Sequence, residues 1–271
     1  MQSKTNLLRL VESALLLAVA GVLSMVKVLD LPYGGSVTAC SALPILLVSY
    51  RYGTPWGLFT AFAYSLLQLL LGMSTLSYFT TPLSVVAVIA LDYLLAFTVL
   101  GLGGVFRRGV SSQSAALVLG ALCTGLARYA LHVIAGCTVW AGLSIPDSAA
   151  LLYSLAYNAT YMVPEILVTM LGAWYLSRAL DLRRPIPARA PAVQAQSRPA
   201  FVLGLVSKGV LLAAAVWDVV EIFRPLQDAE SGDFIIQGLQ DVRWLTVAIV
   251  TVSAVLLWGL LELIRRQKQS E

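Results

Sequence analysis

Apolar residues run through this chain in long blocks that do not alternate with polar ones, and short polar or Gly/Pro-containing breaks separate them. The blocks exceed the about 10 residues of a membrane-spanning strand, so they predict helices rather than a barrel. Helices are expected at 7–28, 41–50, 55–72, 82–105, 114–136, 149–177, 201–223 and 243–264. The second is too short to span a bilayer and contains Pro44, which predicts a broken or re-entrant segment whose backbone is satisfied by protein or by an aqueous cavity. A stretch rich in Ala, Pro and Arg, 183–200, has no apolar period. It divides a six-helix unit, 1–182, from a two-helix transmembrane hairpin, 201–271, and is expected to be extended at the cytoplasmic surface. The hairpin's outer loop contains FIIQGLQDV, which reads as a short interfacial helix.

Composition agrees with this pattern. With 59% hydrophobic and 12% charged residues, and a mean hydropathy of +0.83, the chain falls outside soluble averages and reads as an all-α integral membrane protein. Most Lys and Arg residues fall on one side if both termini are cytoplasmic, while Asp228, Glu230, Asp233 and Asp241 gather in the predicted outer loop. The net charge of +4 then serves anchoring to anionic lipid, and nothing points to nucleic acid. Glu12 within the first helix, and Lys27 with Asp30 after it, argue for a retained span rather than a cleaved signal. Cys40, Cys123 and Cys137 lack metal-ligand spacing; Cys40 and Cys137 can both lie near the outer face and pair, or pack as small apolar residues.

Against this background the ionisable residues at depth stand out. Asp92 and Tyr93 sit mid-helix in LDYLLAF, and Arg128 and His132 lie four apart on one helix face. An unpaired charge there costs several kcal/mol, so either Asp92 pairs with Arg128 or one of the two meets a ligand charge. Glu165 follows Pro164, where helix distortion offers a backbone partner, and Glu12 is close enough to the interface to reach water. Trp140, Tyr153 and Asn158 converge with His132 on the outer half of adjacent helices. Aromatic faces beside a carboxylate suit a cationic heteroaromatic ligand. No Walker motif, HExxH or GxSxG occurs, and a single His limits acid–base or metal chemistry. The chain therefore reads as a non-enzyme with no cofactor or metal, whose energy from ATP must come from a partner. Ala14, Ala18 and Gly21 form a small-residue stripe that admits a neighbouring helix.

The runs LPYGGSVTACSALPILLVSYRYGTPWGLFTAFAYSLLQLLLG, LDYLLAFTVLGLGG, RYALHVIAGCTVW and YSLAYNATYMVPE keep their order and spacing over about Leu7 to Leu180. In these the chain resembles the thiamine-specific S components (ThiT family) of energy-coupling factor (ECF) transporters. That resemblance implies a six-helix S-component bundle in the bacterial plasma membrane, capturing thiamine near the outer face. It also implies docking, through the Ala14 and Ala18 stripe, on a coupling transmembrane subunit shared with two ATPase subunits. It assigns Asp92 and Tyr93, where the family more often has Glu-Tyr, to ligand recognition. His132 and Trp140 go to ring stacking, Tyr153 and Asn158 to polar edge contacts, and Tyr33 to covering the ligand. The hairpin from Phe201 departs from the minimal family pattern. The Asp for Glu exchange leaves room for a thiamine precursor or another vitamin, and a membrane scaffold in which Asp92 and Arg128 merely pair is the reading of another class.

Overall fold

The structure, a computed structural model, describes residues 2–31, 34–141, 143, 150–190, 197–226 and 235–270. The apolar blocks form helices α1 (Gln2–Met25), α2 (Leu43–Tyr52), α3 (Thr54–Leu71), α4 (Pro82–Arg107), α5 (Gln113–Thr138), α6 (Ala150–Ala179), α7 (Arg198–Phe223) and α8 (Trp244–Ser270). Among the described residues, six of these (α1, α3, α4, α5, α7 and α8) are long and apolar enough to cross a membrane. Helix α6, at 30 residues, is long enough to span but carries Asn158, Thr160 and Glu165 along its length. The fold is all-α and membrane-embedded, and it divides into two compact units, Met1–Trp174 and Tyr175–Glu271.

Local chemistry sets the helix ends. The side chains of Thr81, Ser112 and Ser197 accept from the backbone N–H three residues on and so cap α4, α5 and α7. Pro82 follows the first of these caps and Pro199 lies in the first turn of α7, where a missing N–H costs nothing. Between α2 and α3 the chain turns at Gly53, whose φ of +93° is open to glycine at no steric cost.

In the first unit, α2 resolves the problem of its own length. Every residue from Pro44 to Arg51 is buried, so a helix too short to span is enclosed by protein, as its expected broken character requires. Ser49 binds it to α4, its Oγ donating to Gly101 O (2.5 Å) and accepting from Gly104 N (2.8 Å). A close approach of backbones makes this possible, since a Cβ at Gly104 would fall on Ser49 O; likewise one at Gly101 would fall on the backbone of Leu58 in α3, and one at Gly120 on Gly103 O. At the end of α2, Glu12 of α1 takes hydrogen bonds from Arg51 and Tyr52, and Arg107 Nη1 donates to Arg51 O (2.7 Å). Glu12 therefore does not depend on water as the sequence suggests; a nearby guanidinium satisfies it instead.

Two features depart from the sequence expectation. The first helix stops at Met25, and two short strands follow as an antiparallel arm, β1 (Lys27–Asp30) on β2 (Ser36–Thr38). Helix α4 is not uniformly α-helical either: Ile89–Leu95 forms a π-helix and Val99–Arg107 a 3-10 helix. The three cysteines are free, so the pairing of Cys40 with Cys137 does not occur.

In the second unit, the start of the expected extended linker instead forms a small hairpin, β3 (Leu180–Asp181) on β4 (Ala188–Arg189), with Pro185 and Pro187 in its turn. Residues 191–196 and the acidic loop positions Asp228, Glu230 and Asp233 lie outside the described residues. Of FIIQGLQDV, Ile236–Gln240 forms a 3-10 helix. Helices α7 and α8 are laced by polar pairs: Lys208 with Glu262 (3.7 Å), Thr251 Oγ1 donating to Asp218 (2.6 Å), and Arg243 with Glu221 (2.5 Å).

The glycine contacts lead to a test. Gly101→Val should lower the thermal unfolding midpoint of the purified protein, at a cost of about 1–3 kcal/mol for overpacking; an unchanged midpoint would show that α3 and α4 are not in close backbone contact.

Candidate functional site

A cavity of about 760 Å³ opens within the first unit, a size typical of small-molecule sites. Helices α3, α4, α5 and α6, the β1–β2 arm and the 3-10 segment Met73–Tyr78 all contribute to its wall. Asp92 is part of this wall. The acid accepts from His132 Nδ1 at Oδ1 (2.8 Å) and from Trp140 Nε1 at Oδ2 (2.9 Å). The π-helix holds this residue, and an inserted turn of this kind re-aims side chains and recurs at functional sites.

Arg128 is not the partner of Asp92. Its guanidinium lies 4.2 Å over the Phe97 ring, while the short Asp side chain meets His132, one turn further along α5. The two helices run in opposite directions, so that Asp92 faces His132 and Phe97 faces Arg128. With a carboxylate on Nδ1, that nitrogen carries the proton and Nε2 is left as an acceptor. His132 is buried, and no hydrogen bond reaches Nε2 among the described residues.

Aromatic rings form much of the remaining wall. Trp140, buried on loop residues just past α5, is met edge-on by Phe79 (4.7 Å between centroids) and tilted against Tyr78 (6.0 Å). On α6, Tyr153, Tyr157 and Tyr161 fall at successive helical turns and line the cavity together. Tyr93 donates to Gly72 O (3.0 Å), which fixes its ring. Asn158 lines the same wall but is occupied internally. Its Nδ2 donates to Ser154 O (2.8 Å), and its Oδ1 accepts from Tyr161 (2.5 Å). This amide organises its neighbours.

Asp92, Tyr93, His132, Trp140, Tyr153 and Asn158 therefore lie around one space, and Arg128 with them. Tyr33 lies outside the described residues. Sequence reasoning missed Tyr78, Tyr157 and Tyr161. The spacing of YSLAYNATY carried a signal for the last two, a tyrosine every fourth residue, whereas Tyr78 and its neighbour Phe79 sit in a break between helices with no period to betray them. Ala14 and Ala18 are exposed on α1, while Gly21 is buried against Leu67.

Comparison with known proteins bears on the same span. The sequence model of the family described as "Thiamine transporter protein (Thia_YuaJ)" matches residues 10–182. Thiamine transporter ThiT of Bacillus subtilis (strain 168) is 33% identical over 179 residues, covering 62% of this chain and 89% of that protein. The solved structure of ThiT from Listeria monocytogenes superposes with a TM-score of 0.52 at 26% identity, covering 64% of this chain and 94% of that one. Residues 183–271 lie outside the family match.

The bonds of Asp92 can be tested without any ligand. Asp92→Ala strands two buried donors, at about 1–3 kcal/mol each, and should lower the unfolding midpoint of the empty protein clearly more than Asp92→Asn, which keeps one acceptor. Equal midpoints for the two variants would show that these hydrogen bonds are not formed.

Proposed function

The chain belongs to the Thia_YuaJ thiamine transporter family, and on that premise we propose that it is the thiamine-capturing subunit of an ECF-type transporter. It is a multi-pass membrane protein of thiamine transport. The observation that carries the finer reading is Asp92, a carboxylate set at helix depth in an aromatic-walled cavity.

Thiamine joins an aminopyrimidine to a permanently cationic thiazolium. An ionised carboxylate has about four lone-pair directions, and His132 and Trp140 use two of those of Asp92, leaving acceptor capacity and the negative charge for the ligand. The unbonded His132 Nε2 offers an acceptor to an exocyclic amine. Ring faces of Trp140 and Tyr78 attract a cation, an effect of about 0.5–2 kcal/mol when desolvated. Tyr153 supplies an edge contact, with Asn158 holding α6 in place behind it. Tyr93 closes the floor, and Tyr33 is assigned to the cover.

The distribution of Lys and Arg supports cytoplasmic termini and, with them, a cavity in the outer half of the bilayer, facing the source of the vitamin. Inward release needs work, and no phosphate-binding loop occurs in the sequence. The energy is assigned to a coupling transmembrane subunit with two ATPase subunits in the bacterial plasma membrane. The exposed Ala14 and Ala18 on α1 suit close approach of a partner helix.

Binding is read by quenching of intrinsic Trp fluorescence in the purified protein, with pyrithiamine and riboflavin as comparators. Saturable quenching by thiamine but not riboflavin is expected, and Trp140→Ala should weaken it by more than about tenfold, in line with loss of a stacked aromatic anchor. No response to thiamine in the unmodified chain would overturn the ligand. For docking, Ala14→Trp should abolish ATP-driven uptake while thiamine binding persists; loss of binding instead would place the stripe in internal packing.

A further inference from the structure

One buried acid takes no part in the site as described. Glu165 is only 3% exposed on α6, and sits behind the cavity wall beside a small void that it shares with Arg128. Its two oxygens reach the same residue of the arm: Oε2 accepts from Thr38 N (2.6 Å) and Oε1 from Thr38 Oγ1 (2.7 Å). Thr38 is buried and faces the cavity, so the acid grips the inner end of β2 from the far side. The neighbouring Cys40, turned into a left-handed conformation (φ +64°), donates its Sγ to Val168 O of the same helix (3.1 Å).

The arm needs such a hold. Two strands of four and three residues cannot keep their position by pairing alone, since an isolated hairpin is marginal at best. Yet this arm supplies Leu31, Gly34, Gly35 and Ser36 to the cavity. A longer bond, from Gly35 N to Tyr157 Oη (3.3 Å), also joins it to α6. Tyr157 and Glu165 are eight residues apart, about 12 Å along the helix. The arm thus lies against α6 with a short two-bond attachment at Thr38 and a longer single bond at Gly35.

We propose that Glu165 is a positioning residue that fixes the base of the β1–β2 arm to α6 and thereby sets how long the ligand stays in the cavity. The inference rests on the thiamine reading for its ligand, but not for the attachment itself. With the base held, Leu31, Gly34, Gly35 and Ser36 stay at the cavity wall, and loss of the hold frees them from it. Arg128 lines the same small void as the acid and lies over Phe97.

The test uses the purified full chain. Stopped-flow Trp fluorescence should show thiamine leaving Glu165→Gln and Thr38→Val about tenfold faster or more, with association changed by less than about threefold, as expected for a lost buried polar contact. Hydrogen exchange of the empty protein should rise in both variants at the amides of 36–41 and not across α3 to α5. Unchanged dissociation rates in folded variants would overturn the proposal. So would exchange that rises throughout the unit, because Glu165 would then be a packing residue. If the unmodified chain does not respond to thiamine, the functional reading fails on its own, and the local exchange result alone decides whether Glu165 holds the arm.

Discussion

A carboxylate inside a bundle of apolar helices has few ways to exist, and Asp92 shows how this chain provides one. Water is scarce there, so each lone pair must find a donor or a cation. His132 and Trp140 supply two donors, and to bring them there α5 must lie beside α4 with His132 level with the π-helix. The rest of the cavity wall follows from that alignment. Phe97 comes to face Arg128, the ring of Trp140 is turned against Phe79, and His132 is left with one nitrogen unused.

The same demand, applied to the other polar groups of the first unit, explains why α2 is where it is. A ten-residue helix cannot satisfy lipid on both ends. Enclosed by α1, α3 and α4, it instead offers Ser49 to the backbone of α4 and Arg51 to Glu12. Glycines at 101, 103, 104 and 120 let backbones approach where a side chain would collide. Small residues here do for a membrane bundle what a large apolar core does for a soluble one.

Much of this was legible in the sequence, for physical reasons. Long apolar blocks have only one cheap conformation in lipid, so the helices fall close to where the runs do. A lone acid, a lone His and a cluster of aromatics are conspicuous against such a background, and six of the seven residues singled out surround one cavity; Tyr33 is outside the described residues. What stayed hidden depends on tertiary context. KVLD and SVT are too short to announce strands. The choice of His132 over Arg128 as the partner of Asp92 depends on one turn of helical register, and Glu165 finds its donors more than a hundred residues away on the arm.

The π-helix at Ile89–Leu95 ties recognition to assembly through the phase of α4. An α-helix advances about 100° per residue, so the extra residue in a π turn rotates everything after it relative to everything before. Asp92 lies within that turn, while Phe97, Gly101 and Gly104, which seat α4 against its neighbours, lie beyond it. The direction of the acid and the packing face of the second half of α4 are thus set by one angular offset. A change of one residue in chain length there would misalign both together, so this part of α4 can accept substitutions far more readily than it can accept a gain or loss of length.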